Sequence, residues 1–298
     1  EADRARQPAM VCRQCGGAVG SGTTRCMRCQ ATPAVPSKKR AVLVGIQYTR
    51  PPWPRAKQLK GTINDVRNMR SLLTDEYNFP LHSIRILTDY NQRDPKMMPE
   101  KENILREMRW LVRGCSAGDS LVFYFSGHGD YVEDKDRDET DGWDEVICAL
   151  DKNIVDDEIN KIIVHPLVRG VKLHAIIDSC HSGTVLDLPK IWNGRGWTNN
   201  ISRKGVKKGT SGGHAIMISG CTDHQFSNED SNNFGLQTGH LTSAFHATVM
   251  NKPHTRPFTY ASLFKAMKTM VEEESEGEQT PQMSSSFEFD INQKHFTL

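Results

Sequence analysis

Long apolar runs are absent from the 298 residues of this chain, so the sequence predicts no membrane-spanning helix. A strong charge of either sign is also absent, since 38 Lys and Arg stand against 36 Asp and Glu, for a net charge of +2. That balance favours no polyanionic partner, and neither nucleic acid nor a membrane is predicted to bind. No apolar run near the start is typical of a secretory signal, so the expected location is the cytoplasm, alone or together with the nucleus.

Cysteine is scarce outside one short stretch. Four of the eight cysteines fall within residues 12–29, in two Cys-x-x-Cys pairs, and the others are scattered. This distribution fits a metal site better than a disulfide framework, because paired thiolates can close a tetrahedral Zn²⁺ site in a segment too poor in aliphatic residues to build a core. A disulfide pair and a flexible redox segment are the alternatives. The predicted zinc ligands are Cys12, Cys15, Cys26 and Cys29.

The composition changes after a proline-containing linker at residues 31–37. Residues 1–37 are therefore predicted to form a small zinc-ribbon-like segment, which would contact regulatory proteins or restrain the rest of the chain. From Lys38 onward, buried-strand patterns such as Ala41–Ile46 and Leu121–Phe125 alternate with helical patterns. This alternation predicts an α/β fold in which helices cover both faces of a mostly parallel sheet.

Residues 190–213 interrupt the alternation of strands and helices. They are rich in Gly and basic residues and contain no strand pattern, so they are predicted to be an exposed connection. This connection would divide the α/β part into a larger subregion, 38–189, and a smaller one, 214–298.

Two predicted strands end in turns that carry reactive side chains. One runs into Ser126-Gly-His-Gly129 and the other into Asp178-Ser-Cys-His-Ser-Gly183. Since parallel strands end at the same sheet edge, His128 and Cys180 are expected to approach each other. An imidazole converts a thiol into a thiolate and later protonates the leaving amine, while the N–H groups of Gly129 and Cys180 would hold the oxyanion. The alternative is a buried cysteine and an unrelated loop histidine, but the separation of 52 residues (180 − 128) and the flanking glycines favour a catalytic dyad.

Asp178, two residues before the predicted nucleophile, bears on the choice of substrate. A caspase-like cysteine turn that recognises aspartate has Gln at this position. A buried carboxylate would instead repel an acidic side chain and pair with Arg or Lys. Helix capping, a common role of Asp, is the alternative. The predicted partners are therefore proteins or peptides with Arg or Lys before the scissile bond.

The chain resembles a metacaspase in five segments, namely Tyr124–Gly129, Ile154–Glu158, Asp178–Asp187, Gly209–Gly213 and Ser219–Gln225. The resemblance runs from about Lys39 to the last residue, and the cysteine-rich segment is similar to that of the type I subgroup of plants. It implies a caspase-like sheet of six strands, with 38–189 as the large (p20-like) and 214–298 as the small (p10-like) subregion. It also implies cleavage after Arg or Lys and activation by Ca²⁺.

Further residue roles follow from the same resemblance. Asp65 and Ser126 would line the substrate pocket beside Asp178. The implied Ca²⁺ ligands are Asp144, Asp156, Asp157 and Asp187. Judged by residue type alone, the carboxylates crowded into residues 133–145 are either a solvated loop or a cation site. An EF-hand is rejected because its sixth position must be Gly and here is Glu139.

Three positions depart from the family pattern. Thr62 stands where a cysteine is frequent, Phe226 replaces a Thr, and His240 replaces an Ala.

Taken together, these patterns and the resemblance predict a calcium-stimulated cysteine endopeptidase that cleaves after Arg or Lys, with self-cleavage in the 190–213 connection. The alternative hypothesis is a zinc-module scaffold or regulatory protein whose peptidase fold is weakly active or inactive.

Overall fold

The computed structural model describes the side chains of residues 37–134, 142–180, 182–200, 208–220, 238–252 and 257–298, and the backbone alone of 10–11, 18–19, 229–231 and 237. The chain forms two compact units, Glu1–Ser37 and Lys38–Leu298. In the first unit, β1 (Met10–Val11) pairs antiparallel with β2 (Ala18–Val19). The four predicted zinc ligands lie outside the described residues, so the zinc site stays a prediction.

Eight strands form the main sheet of the second unit. In chain order they are β3 (Lys39–Gly45), β4 (Ile84–Thr88), β5 (Ser120–Ser126), β9 (Lys172–Asp178), β10 (Lys190–Trp192), β11 (Trp197–Asn199), β12 (His214–Ser219) and β15 (Gln282–Ser285). Their order across the sheet is β11-β10-β15-β12-β9-β5-β3-β4. The five strands from β12 to β4 are parallel, and β15, β10 and β11 each pair antiparallel.

Helices cover both faces of this sheet, as predicted. They are α1 (Thr62–Asp75), α2 (Lys101–Val112), α3 (Asp156–Ile159) with a π-helical turn at Asn160–Val164, α4 (His240–Met250) and α5 (Tyr260–Glu274). Alternate strand residues point to opposite faces, so Val42 packs with Met108 of α2 in one core, while Leu43 packs with Met69 of α1 and Phe245 of α4 in the other. Burial on both faces explains the nearly continuous apolar strands.

The predicted count of six strands is wrong, because part of the predicted connection 190–213 is a β-hairpin. Strands β10 and β11 pair antiparallel around a turn and extend the sheet beyond β15. The hairpin is held by aromatic packing: the rings of Trp192 and Trp197 lie 5.5 Å apart, and Trp197 Nε1 donates to the Phe289 carbonyl at 2.8 Å. Two tryptophans thus give a short, glycine-rich segment an apolar face that its overall composition conceals.

A smaller sheet follows β5 directly. It contains β6 (Gly129–Glu133), β7 (Trp143–Cys148) and β8 (Asn153–Val155), all antiparallel. Strand β8 leads straight into α3, and a separate pair, β13 (Glu229–Ser231) with β14 (Gln237–Gly239), leads into α4. The first connection brings Asp156 to the backbone of Glu145 on β7, and the second brings Thr242 to Asp178 at the end of β9. In the described parts of the chain, no helix is long and apolar enough to cross a membrane.

Candidate active site

The predicted nucleophile and base follow neighbouring strands at the same edge of the sheet. Ser126 at the end of β5 pairs in register with Asp178 at the end of β9, so His128 and Cys180 each lie two residues beyond this pair. The two turns are in direct contact, because a Cβ placed on Gly129 would overlap the carbonyl oxygen of Cys180. Only glycine permits so close an approach of the two backbones.

The imidazole of His128 has a defined orientation. Its Nε2 lies 2.7 Å from the carbonyl oxygen of Lys57. A carbonyl can only accept a hydrogen bond, so Nε2 carries the proton and Nδ1 keeps the lone pair that can accept one. The rings of Tyr48 and Trp53 lie 4.6 and 5.6 Å from the imidazole. Burial lowers the pKa of His128, outweighing the opposite effect of its bond to Lys57, and this favours the neutral form that a general base needs.

The side chain of Cys180 is partly exposed, so a substrate can reach its thiol. The turn that carries Cys180 is internally bonded, since the hydroxyl of Ser182 donates to the carbonyl of Ser179 at 2.8 Å. Both of these serines are buried. The geometry therefore presents an accessible thiol on a fixed turn, in contact with the loop that carries the predicted base.

Asp65, Ser126 and Asp178, the three predicted pocket residues, lie together at the base of this site. All are buried, and the hydroxyl of Ser126 donates to Asp65 Oδ2 at 2.8 Å. Asp65 Oδ1 also accepts the backbone N–H of Gly239 at 3.1 Å. Asp178 Oδ2 accepts the N–H of Thr242 at 2.9 Å and its hydroxyl at 2.6 Å. Elements distant in sequence thus gather two carboxylates within the protein.

The two predicted roles of Asp178 turn out to be compatible. Thr242 is in the first turn of α4, so Asp178 does cap a helix N-terminus, although not that of a helix following Cys180. The hydroxyl of Tyr124 lies 2.6 Å from that of Thr242, close to both carboxylates. Burial raises the pKa of Tyr124 well above its usual value, and the charges of Asp65 and Asp178 raise it further. A cationic side chain would complement this region.

Three of the four predicted Ca²⁺ ligands also meet. Carboxylate oxygens of Asp156, Asp157 and Asp187 lie within 4.8 Å of one another. Asp144 is buried on β7 and lies outside this set, but close enough that its charge contributes to raising the pKa of Asp156. That pKa is raised to about 9, chiefly by burial and next by Glu145.

A lysine lies against this acidic set. Lys208 Nζ is 2.8 Å from Asp187 Oδ2 and 3.3 Å from Asp157 Oδ1, and the lysine side chain is only 11% exposed. Lys208 comes from the stretch that leads into β12, so a cationic group of the connection itself compensates two of the predicted ligands.

Part of the chain matches a known protein family. The family model described as "Metacaspase, peptidase C14 domain" matches residues 39–189. Metacaspase-1 of Arabidopsis thaliana is 46% identical over 244 residues, which cover 78% of this chain and 65% of that protein. Metacaspase-3 of the same plant is 42% identical over 287 residues, which cover 89% of this chain and 77% of that protein. The chain belongs to the metacaspase family.

Solved structures agree on the fold of this metacaspase. A Geobacter sulfurreducens protein superposes with a TM-score of 0.60 at 21% identity, covering 88% of this chain and 99% of its own. The structure of pro-sf-caspase-1 superposes with a TM-score of 0.50 at 9% identity, covering 88% and 95%. The predicted caspase-like fold is thereby confirmed. The chain spans 65% of the length of Arabidopsis metacaspase-1 and 58% of that of metacaspase-2.

Two of the departures from the family pattern, Thr62 and His240, fall on the helices that contribute to the predicted pocket. Thr62 is buried in the first turn of α1, the helix that carries Asp65. His240 begins α4 and is buried, with Nδ1 3.5 Å from Glu274 Oε2. The helix therefore accommodates the histidine by placing it against an acidic side chain. Phe226 lies outside the described residues.

Several residues of the metacaspase site were not predicted from the sequence. Tyr48 and Lys57 contact His128 from the loop after β3, and Thr242 holds Asp178 from the small subregion. No pattern in the sequence marks Tyr48, Lys57 or Thr242 as part of this site. Only the nearness of Thr242 to the noted His240 position offered a hint.

Proposed function

We propose that this metacaspase domain is an endopeptidase that cleaves after Arg or Lys, with Cys180 as nucleophile and His128 as base. The observation that carries the proposal is a buried pair of carboxylates beside the dyad: Asp178 ends β9, which leads to Cys180, and Asp65 of α1 accepts a hydrogen bond from Ser126 at the end of β5. A cysteine peptidase of caspase-like fold needs a residue beside its nucleophile to select the substrate, and here that residue is anionic.

The chemistry follows from the states of the two side chains. Neutral His128 accepts the proton of the Cys180 thiol at Nδ1, and the thiolate attacks the scissile carbonyl carbon. The N–H groups of Gly129 and Cys180 are the proposed donors to the resulting oxyanion. Protonated His128 then gives its proton to the leaving amine, and water hydrolyses the thioester. The carbonyl of Lys57 keeps the imidazole in one tautomer throughout.

The proposed pocket favours a basic substrate side chain because its two carboxylates are shielded from water. Asp65 is 1% and Asp178 4% exposed, so water compensates neither carboxylate well. An Arg or Lys side chain of the substrate would place a positive charge beside these two carboxylates, whereas an Asp side chain would add a third negative charge. Losing one such contact costs about 2–5 kcal/mol when the other partner stays buried.

We also propose that Ca²⁺ binds Asp156, Asp157 and Asp187, with Asp144 as the fourth ligand. Carboxylate oxygens are the donors that Ca²⁺ prefers, and three of them already lie within 4.8 Å of one another. Bound Ca²⁺ would supply the positive charge that Lys208 now supplies. Lys208 must therefore leave Asp187 and Asp157 before those oxygens can turn to an ion.

We propose that the chain also cleaves itself in the connection when Lys208 is released. Residues 190–199 form the hairpin, where extended, paired strands resist cleavage, and Arg195 is in its turn. We therefore place self-cleavage after the hairpin, in the basic stretch that ends at Lys208. We further propose that the N-terminal segment binds zinc, that the chain is of the type I subgroup, and that it is located in the cytoplasm or nucleus.

One assay tests the central proposal. Fluorogenic peptides that differ only in Arg, Lys or Asp before the scissile bond are incubated with the full chain, with and without Ca²⁺. We expect turnover of the Arg and Lys peptides, stimulated by Ca²⁺, and its loss in Cys180→Ala and His128→Ala variants that melt like the wild type. A preference for Asp would refute the pocket assignment, and absence of turnover under all conditions would favour a scaffold.

A further inference from the structure

The hydroxyl of Tyr48 is bonded to the backbone of the catalytic loop. It accepts the backbone N–H of His128 at 2.8 Å and lies 2.7 Å from the carbonyl oxygen of Cys148, to which it donates. The N–H of Cys148 in turn donates to the carbonyl oxygen of His128 at 2.9 Å. Both backbone polar groups of His128 are therefore fixed by this pair of residues, one from the loop after β3 and one from the end of β7.

Tyr48 itself is held firmly enough to serve as a reference point. Its side chain is fully buried in the core that includes Phe125 and Val146. Its φ of 56° lies in the left-handed region, which is uncommon for a bulky residue and persists only where the surroundings enforce it. Burial also raises its pKa well above the usual value, so the phenol keeps the proton that it donates.

Gly127, in the turn before His128, has a role that matches this contact. A Cβ at Gly127 would lie 2.7 Å from the Tyr48 hydroxyl oxygen and 2.8 Å from Phe125 Cζ. A larger residue would push the hydroxyl away from the His128 N–H. The two glycines beside His128 thus have separate uses: Gly127 admits the tyrosine hydroxyl and Gly129 admits the backbone of Cys180.

We infer that Tyr48 is a positioning residue for the general base. Its hydroxyl fixes the His128 backbone, and its ring lies 4.6 Å from the imidazole ring. The carbonyl of Lys57 accepts the hydrogen bond from His128 Nε2. The catalytic base must be held to within a fraction of an ångström of the thiol, and a shift of about 1 Å can lower a rate by about a hundredfold. The inference rests on the proposed role of His128 and on no assumption about the substrate.

Tyr48→Phe tests this inference, because it removes one oxygen and keeps the ring. The matched control is Tyr260→Phe: Tyr260 is equally buried, and its hydroxyl lies 2.6 Å from His174 Nε2, in the opposite core. Tyr48→Phe loses two buried hydrogen bonds and Tyr260→Phe loses one, so both should melt earlier. We expect Tyr48→Phe alone to lower kcat by about tenfold to a hundredfold, with KM changed less than twofold.

A second measurement separates positioning from stability and from substrate choice. The rate at which iodoacetamide alkylates Cys180 is recorded against pH for the wild type and both variants. We expect Tyr48→Phe to slow alkylation near neutral pH and to move its pH profile, and Tyr260→Phe to leave both unchanged. Equal kcat losses, equal pH profiles, or failure of Tyr48→Phe alone to fold would each overturn the inference. A wild type that alkylates normally but rejects Arg peptides would count against the proposed pocket and not against Tyr48.

Discussion

Replacing Lys208 with Met should make the domain respond to less Ca²⁺. Lys208 pairs with Asp187, whose side chain is 1% exposed, and with Asp157, which is 43% exposed. A hydrogen bond to a charged group contributes about 1.5–3 kcal/mol when shielded, and an exposed ion pair contributes much less. We take about 1–2 kcal/mol for the whole contact, since one partner is buried and the other is open to water.

This energy sets the size of the expected shift. An ion that must displace Lys208 gives up that contact, and every 1.4 kcal/mol corresponds to a factor of about ten in affinity. The Ca²⁺ concentration for half-maximal turnover should therefore fall by about 5- to 30-fold in Lys208→Met. The matched control is Lys190→Met. It removes the same charge from a lysine of the hairpin, which pairs with Glu288.

Two readouts check the Lys208 prediction. One is Ca²⁺ titration of Arg-peptide turnover, and the other is calorimetric Ca²⁺ binding to proteins that also carry Cys180→Ala and so cannot clip themselves. Tighter binding and a lower half-maximal concentration in Lys208→Met alone are expected. An unchanged or weaker response would refute the competition, even if the wild type is stimulated by Ca²⁺. A wild type that neither binds nor responds would instead refute the Ca²⁺ site.

Three further predictions concern the pocket, the N-terminal segment and pH. Asp178→Asn should lower kcat/KM for an Arg peptide by about 30-fold or more, whereas unchanged preference with early melting would leave only its helix-capping role. Metal analysis should find about one zinc per chain, and Cys12→Ser/Cys15→Ser should remove it without loss of turnover, so retained zinc would place the ligands elsewhere. Burial lowers the pKa of His214 to about 3, so the unfolded chain binds a proton that the folded chain refuses. Its contribution to stability should therefore fall by about 1.4 kcal/mol per pH unit below about 6.5, and denaturant titrations from pH 6.5 to 4 of His214→Gln should show a shallower fall than the wild type.

The position of the dyad could be predicted because strand patterns define a shared edge. The apolar runs before Ser126 and Asp178 end at the same register position, so the residues two places further on had to be neighbours. The predicted pocket role of Asp178 came from its place two residues before the cysteine, where a caspase-like turn that recognises aspartate has Gln. Asp65 and the implied Ca²⁺ ligands could be named only from the family resemblance. Nothing in the local sequence of α1 or α3 shows where those helices begin relative to the sheet.

Other parts of the site could not be predicted, because their contacts join segments distant in sequence. Tyr48 reaches Cys148 across 100 residues and His128 across 80, and the carbonyl of Lys57 reaches His128 across 71. Any residue type can supply a backbone carbonyl such as that of Lys57, and a loop tyrosine such as Tyr48 is usually interpreted as a packing residue. The hairpin at 190–199 was missed for a related reason, since Trp197 is stabilised by Phe289, far along the chain.

The segment after the nucleophile links the two halves of the proposed mechanism. Thr184 donates to Glu145 on β7 at 2.6 Å, and the side chain of Asn160, in the π-helical turn, donates to the Leu186 carbonyl at 2.8 Å. The side chain of Gln282 on β15 donates to the Gly183 carbonyl at 2.8 Å. Residues 183–186 are therefore bonded to β7, to the π-helical turn after α3 and to β15, and the first two of these elements adjoin the proposed Ca²⁺ ligands. A change of charge at Asp187 acts on a segment that begins at the nucleophile itself, and this is why a cation exchanged there is expected to alter catalysis directly.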